Sequence, residues 1–155
     1  MSDLEIIPTI GVGSARFGQP PSEVLAAMAE PQVYEDWMGG NLNDSLLFQG
    51  LILEFDRCDA YGPLPESRLV GARIRSRPGA RLFAKMVAEW TREELRDHLR
   101  SLGHKSQEGD GDLLIPALGF AVSFDDGGGI EDIDLWEPRP ESFWPRLKRR
   151  LAGGG

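Results

Sequence analysis

The sequence predicts an α+β fold made of two helix-plus-antiparallel-sheet repeats and a short C-terminal helix. Two strand-like runs, residues 50–56 and 119–125, align at an offset of 69, and helix-like runs that precede them align at an offset of 71. Self-similarity of this kind indicates duplication of one structural unit. The 155 residues, 41% of them hydrophobic, suffice for one compact domain holding both units. We expect a first repeat over residues 5–75, a second over residues 81–137, and a tail over residues 138–155.

The first repeat is predicted to begin with a short edge strand that ends at Pro8, because proline has no N–H to donate to a neighbouring strand. Pro20 and Pro21 suit the first turn of a helix, which we expect over residues 22–29. Alternation of apolar residues between Gly- and Pro-rich turns indicates the strands that follow. These predicted strands are residues 45–49, 51–56 and 68–74.

The second repeat contains the clearest helix signal. Thr91 and Glu94 form the sequence pattern of a capping box, in which a hydroxyl and a carboxylate satisfy backbone N–H groups at a helix start. The helix is expected to end at Gly103, with a buried stripe of Leu95, Leu99 and Leu102. The remaining elements are predicted strands 113–115, 120–124 and 130–136, a linker at 76–80 and the C-terminal helix at 143–151.

The negative charge of the chain limits the kinds of macromolecule that it is expected to bind. The net charge is −8, and residues 17–56 contain seven acidic side chains without a single Lys or Arg. An acidic surface repels phosphate backbones, so we expect no direct nucleic-acid binding. The same surface attracts a basic protein and speeds its arrival.

The sequence also indicates the compartment. No run approaches the roughly 18 apolar residues of a membrane-spanning helix, so we expect no membrane partner. Cys58 is the only cysteine, which fits a reducing compartment, and the acidic start of the chain lacks the pattern of a secretory signal. We therefore expect a cytoplasmic protein.

No motif in the chain predicts a catalytic residue, a metal site or a cofactor. The glycine-rich run 11–13 has Arg16 where a dinucleotide-binding fingerprint needs glycine. His98 and His104 are six residues apart, which does not place two metal ligands on one helical face. Cys58 has no histidine near it in sequence to act as a base.

Aromatic residues beside acids are the best candidates for a functional surface. Tryptophan and tyrosine dominate interface hot spots because they bury a large area with few rotatable bonds. Acidic residues in a predicted hairpin are suited to steer a basic partner. The candidate anchors are Glu35, Asp36, Trp37 and Tyr61, and the candidate steering residues are Asp125, Asp126 and Asp132.

The order of turns, helix and strand carries a family resemblance. Its segments are Ile7-Pro8, Gly11-Val12-Gly13, Phe17-Gly18, Ser22-Glu23-Val24, Glu30-Pro31 and residues 51–56. This pattern resembles small bacterial immunity-type proteins, and the tandem arrangement resembles beta-lactamase-inhibitor-protein-like architecture, in which two repeats form a concave inhibitory face. The resemblance implies inhibition of a partner by tight binding, without catalysis, and carries over no individual functional residue.

Three hypotheses follow. The leading one is an immunity or antitoxin protein that neutralises a cognate bacterial toxin by covering its active site, so the expected partner is a basic toxin domain. The second is an acidic decoy that occupies the groove of a nucleic-acid-binding protein. The third is an enzyme built on Cys58 or on the carboxylates, which a deep pocket around those groups would favour.

Overall fold

A computed structural model describes residues 3–33 and 43–138, and this part of the chain is mostly β. Its two α-helices are α1 (Pro21–Met28) and α2 (Arg92–Ser101), and 3-10 helices span Val87–Glu89 and Pro116–Leu118. The strands are β1 (Leu4–Ile7), β2 (Gly11–Val12), β3 (Ala15–Arg16), β4 (Ser45–Phe48), β5 (Leu51–Phe55), β6 (Cys58–Asp59), β7 (Gly62–Pro63), β8 (Leu69–Ile74), β9 (Ala80–Leu82), β10 (Lys85–Met86), β11 (Gln107–Glu108), β12 (Asp112–Ile115), β13 (Phe120–Phe124) and β14 (Ile130–Trp136).

The predicted α+β fold of two helix-plus-antiparallel-sheet repeats is wrong. Seven strands form one sheet in the order β11-β12-β13-β14-β8-β5-β4, and five form another in the order β10-β9-β1-β2-β3. Strands β8 and β14 pair directly and antiparallel, so the larger sheet runs through both halves of the chain. In the smaller sheet β1 likewise pairs with β9, in parallel. The halves share sheets because each would otherwise leave a long edge of unpaired backbone N–H and C=O groups.

Two short strands, β2 and β3, follow β1 within a glycine-rich stretch. Glycines with positive φ, such as Gly11 at 152° and Gly13 at 56°, allow β1, β2 and β3 to fold back on one another within a few residues. The predicted edge strand is also wrong in its position, because β1 lies between β9 and β2. Pro8 follows this strand and therefore interrupts no pairing within it.

One hydrophobic core joins both sheets and both helices. Leu51, Leu53 and Phe55 of β5 all belong to this core, as the alternation of residues along the strand predicts. Val24 of α1 and Leu99 of α2 pack into the same cluster, and both side chains have no exposed area. Burial of each such side chain contributes about 1.5–3 kcal/mol, so the core binds the short helices to the sheets.

The predicted capping box starts α2. The Thr91 hydroxyl oxygen accepts from the Glu94 backbone N–H at 3.2 Å, and the same hydroxyl donates to the Glu94 carboxylate at 3.0 Å. The Lys85 ammonium also donates to Glu94 at 2.7 Å. Its hydrogen bond, together with that of Thr91, lowers the pKa of the Glu94 carboxyl. The predicted stripe is correct for Leu95 and Leu99, whereas Leu102 caps the helix and is 52% exposed.

The stretch 76–80, predicted as a linker, contains Arg77, whose buried side chain forms an ion pair with Glu30. Arg77 donates from both terminal nitrogens to the two carboxylate oxygens of Glu30, at 2.7 and 2.5 Å. It also donates to the Gln49 carbonyl at 2.9 Å, and its side chain is only 4% exposed. The pair ties the residue just beyond α1 to the chain between β8 and β9.

Two further predictions concern the C-terminal helix and membrane-spanning helices. The short C-terminal helix predicted at 143–151 falls beyond residue 138, where the description ends. Neither helix within residues 3–33 and 43–138 is long and apolar enough to cross a bilayer.

Candidate functional site

Tyr61 stands at the tip of a small hairpin that connects the larger sheet's β5 to β8. Strands β6 and β7 pair through Asp59 and Gly62, so that Ala60 and Tyr61 form a two-residue turn. The Asp59 carboxylate accepts from the Tyr61 backbone N–H at 2.7 Å, which fixes the turn locally. The Tyr61 side chain is 98% exposed. The fold thus exposes a large aromatic ring on a short turn that the Asp59 hydrogen bond fixes.

The base of this hairpin is charged but locally balanced. Arg57 and Glu66 form an exposed ion pair at 2.6 Å across the hairpin. Asp56 accepts from the Arg68 backbone N–H at 2.9 Å, which joins the two ends of the loop. These contacts hold the hairpin in place beside the sheet.

Asp125 and Asp126 occupy the turn between β13 and β14, and their roles differ. The Asp125 carboxylate accepts from the backbone N–H groups of Gly127 at 2.9 Å and Gly129 at 3.0 Å. Asp125 therefore shapes the turn. Asp126 follows it with an exposed side chain. Of the two carboxylates, that of Asp126 is better placed to act on an approaching partner.

Asp132 of β14 is bound by Arg75, which directly follows the neighbouring strand β8. Arg75 donates to both of its carboxylate oxygens, at 2.5 and 2.6 Å. The hydrogen bond to Asp132, with the charges of Asp132 and Glu131, raises the pKa of the Arg75 guanidinium. The negative charge of Asp132 is balanced within the molecule, which weakens it as a steering group.

The hairpin with Tyr61 and the turn with Asp126 lie at opposite ends of the larger sheet. The hairpin follows Phe55, whose partner Leu69 begins β8. The turn precedes Ile130, at the start of β14, and β14 runs antiparallel to β8. The seven residues of β14 separate these ends by about 20 Å. The structure therefore does not gather the predicted anchors and steering residues into one patch.

More acids join Asp126 at its end of the sheet. A bridge between Thr91 and Gly129 brings the start of α2 beside the turn, and the Phe124 N–H donates to the Gly111 carbonyl. Sequence reasoning missed this cluster because its segments are far apart along the chain. The exposed acids brought together by these contacts are Glu93, Asp110, Asp112 and Asp126. We call them the acidic end.

The remaining candidates, Glu35, Asp36 and Trp37, lie outside the described residues. The described chain leaves at Val33, whose N–H donates to the Leu47 carbonyl of β4. It resumes at Asn43, two residues before Ser45, which pairs with Glu54 near the Phe55 end of β5. The described residue that follows these candidates is thus close to the sheet end that carries the Tyr61 hairpin.

Within the described part, Glu5 and His104 line one surface cavity, but Cys58 does not. Cys58 is exposed on β6 and lines neither of two surface cavities, of about 310 and 290 Å³. His98 packs between aromatic rings, with centroid distances of 4.9 Å to Phe83 and 5.4 Å to Trp90. Over residues 3–33 and 43–138, no group of three or more His, Cys, Asp or Glu side chains is arranged to hold a metal ion.

Comparisons of this chain with protein-family models, with curated proteins and with solved structures found no match. The resemblance to immunity-type proteins therefore stays a prediction.

Proposed function

We propose that this chain is an immunity-type protein that neutralises a cognate bacterial toxin by binding it directly. The observation that carries the proposal is the 98% exposure of Tyr61 on a turn fixed by Asp59. A tyrosine ring buries about 150–250 Å² when it enters an interface, and exposing it to water without a partner serves no packing purpose. We place the protein in the cytoplasm, where its exposed Cys58 stays reduced.

The shape of the hairpin favours a concave site on the partner. All four residues from Cys58 to Tyr61 are exposed, so the tip protrudes from the sheet. A protruding aromatic gains most when a pocket surrounds it and excludes water. Because Asp59 already holds the turn, little conformational entropy is lost on binding. An active-site cleft of a toxin has this concave form, and a ring inserted there would block substrate.

The acidic end supports the proposal in a different way. It lies about 20 Å from the hairpin along β14, so it need not touch the same part of the partner. Charges steer a basic partner over about 8–10 Å in physiological salt, beyond direct contact. We therefore assign affinity to the Tyr61 hairpin, with Glu35, Asp36 and Trp37 as further proposed anchors, and association rate to the acidic end.

Replacing Tyr61 by alanine should weaken the complex by about 2 kcal/mol, or roughly 30-fold in Kd, because the anchoring ring is lost. The partner is first isolated on the immobilised chain from an extract of the producing organism, identified and purified. Calorimetric titration then compares the wild type with Tyr61→Ala. Leu102→Ala serves as the matched control, since Leu102 is an exposed apolar residue at the end of α2.

An unchanged Kd for Tyr61→Ala, measured beside an unchanged control, would rule out the hairpin as the anchor. The proposed function itself fails if the purified partner keeps its toxic activity when saturated with the wild-type chain. A partner released by competitor DNA would instead support the acidic decoy of a nucleic-acid-binding protein.

Reversing the charge at Asp126 should slow association. We expect Asp126→Lys to reduce the association rate constant about three- to tenfold at low salt, and the difference to vanish in high salt. Stopped-flow fluorescence with the purified partner measures the rate. Glu23→Lys, on the exposed surface of α1, changes the net charge by the same amount at another place. Equal slowing by the two variants would mean that net charge, and not the acidic end, steers the partner.

A further inference from the structure

A surface cavity of about 310 Å³ lies where the end of β1 meets the turn between β9 and β10. Its lining is mostly apolar, with one carboxylate and one imidazole among the side chains. The lining residues include Ile7, Pro8, Phe83, Leu118, Glu5 and His104. Its volume is at the lower limit of ligand sites, about 300–1,000 Å³, and therefore suits a single side chain. We call it the β1 cavity.

The Phe83 wall of the β1 cavity has a backbone conformation that phenylalanine rarely adopts. Leu82 pairs with Lys85, so that Phe83 and Ala84 form the two-residue turn between β9 and β10. Both turn residues are left-handed, with φ of 49° and 63°, where such a turn ordinarily has Asn-Gly. The Phe83 ring packs against His98, with a centroid distance of 4.9 Å. Strained positions concentrate at ligand sites, and here the turn fixes an aromatic wall before any guest arrives.

The Glu5 carboxylate gives the β1 cavity a negative charge. It is exposed, and over residues 3–33 and 43–138 it forms no ion pair. Arg81 lies opposite Glu5 in the pairing of β1 with β9, but its guanidinium donates to the Ala84 carbonyl at 2.7 Å and lies 3.9 Å from Asp3. Two acids thus surround a single base, which favours a positively charged guest over an anion.

In the second cavity, of about 290 Å³, both charged lining residues already have partners. Glu131 lies 3.5 Å from the Arg75 guanidinium, and Arg77 forms its ion pair with Glu30. The lining of this second cavity therefore favours neither sign of charge.

The β1 cavity and the Tyr61 hairpin lie at the same end of the larger sheet. A row of cross-strand pairs joins β13 to β5 through Phe120, Leu135, Ala72 and Leu53. Leu118 lies two residues before this row and Phe55 two residues beyond it, on the same side because β13 and β5 run in opposite directions. Three strand spacings, about 15 Å, separate the two positions. One surface of a partner can therefore contact both.

We propose that the β1 cavity receives an arginine side chain of the toxin partner, with its hydrocarbon stem against Ile7 and Leu118 and its guanidinium at Glu5. The assignment rests on the proposed function, because it requires a basic partner bound at the Tyr61 end of the sheet. Arginine combines an apolar stem with a permanent positive charge, and its planar head stacks on aromatic rings of the kind that Phe83 supplies. Arginine is also enriched among the residues that dominate binding at interfaces.

A small probe tests the β1 cavity without the partner. n-Butylguanidinium carries the arginine head group on a short apolar stem, and n-hexanoate is the matched anion. In NMR titrations of the full-length chain, butylguanidinium should shift the backbone amide signals of Glu5, Ala84 and Leu118 saturably at roughly millimolar concentration, whereas hexanoate should not. Glu5→Gln should raise the Kd of butylguanidinium about three- to fivefold. No saturable shift, equal shifts by hexanoate, or an unchanged Kd in Glu5→Gln would overturn the proposal.

The purified partner gives the second test. Glu5→Arg sets a positive charge against the incoming guanidinium and should weaken the complex about tenfold or more. Glu23→Arg makes the same change of charge on the exposed surface of α1 and should leave the Kd within about twofold. Equal effects of the two variants would overturn the cavity assignment, yet leave the proposed function standing if the saturated partner loses its toxic activity. A saturated partner that stays toxic would overturn both proposals.

Discussion

Glu30→Ala is expected to lower the free energy of unfolding by about 3–5 kcal/mol, because it leaves a buried guanidinium without its counter-charge. The Arg77 side chain is 4% exposed and makes two hydrogen bonds to Glu30, at 2.7 and 2.5 Å. Once Glu30 is removed, the Gln49 carbonyl remains as an acceptor, but a carbonyl does not neutralise the charge.

Urea denaturation followed by circular dichroism measures this loss as a shift of the transition midpoint. Glu66→Ala is the matched control, since Glu66 pairs with Arg57 at 2.6 Å with both side chains more than half exposed. An exposed pair of that kind contributes about 0–1 kcal/mol. Similar losses in the two variants would show that solvent reaches Arg77 and stabilises its charge.

A double substitution separates buried charge from lost packing. The double variant Glu30→Leu, Arg77→Met replaces both partners with apolar residues. It therefore removes the buried charge that Glu30→Ala leaves without a counter-charge. We expect the double variant to be more stable than Glu30→Ala alone. If it is less stable, then the contribution of the pair comes from the geometry of its contacts and not from charge compensation.

Local sequence signals succeeded where the structure depends on local contacts. The capping pattern at Thr91 predicted the start of α2, because the groups that satisfy the first turn lie three residues apart. Alternation in residues 51–56 predicted β5 with Leu51, Leu53 and Phe55 facing the core, since a strand's period of two residues is visible in its own sequence.

Long-range pairing was the part of the fold that the sequence did not reveal. The contacts of β8 with β14 join residues about sixty positions apart, and no motif in either strand names its neighbour. The same limit applied to the candidate site. The sequence predicted Asp132 and Asp125 as steering charges. In the structure Arg75 binds the Asp132 carboxylate, and the Asp125 carboxylate accepts hydrogen bonds from two backbone N–H groups of its own turn.

Gly119→Ala is expected to cost about 2–5 kcal/mol, because this position combines a left-handed backbone with a close approach of another strand. Gly119 has φ of 56° and connects the Pro116–Leu118 turn to β13. A Cβ atom added there would lie 2.2 Å from the Trp136 carbonyl oxygen. That oxygen belongs to the backbone of the central strand β14, which also donates from the Trp136 N–H to the Gly119 carbonyl at 2.9 Å. The strand cannot withdraw without breaking this hydrogen bond.

Gly103→Ala separates the two contributions to that cost. Gly103 follows α2 with φ of 85°, and no atom lies within 4 Å of an added Cβ. Its substitution should therefore cost only the left-handed conformation, about 1–2 kcal/mol. Thermal and urea unfolding of both variants measure the difference, which reports the close approach of Gly119 to β14. An equal loss in the two variants would mean that the β13–β14 contact relaxes freely. That outcome would contradict the rigid pairing of β13 and β14 on which the middle of the larger sheet depends.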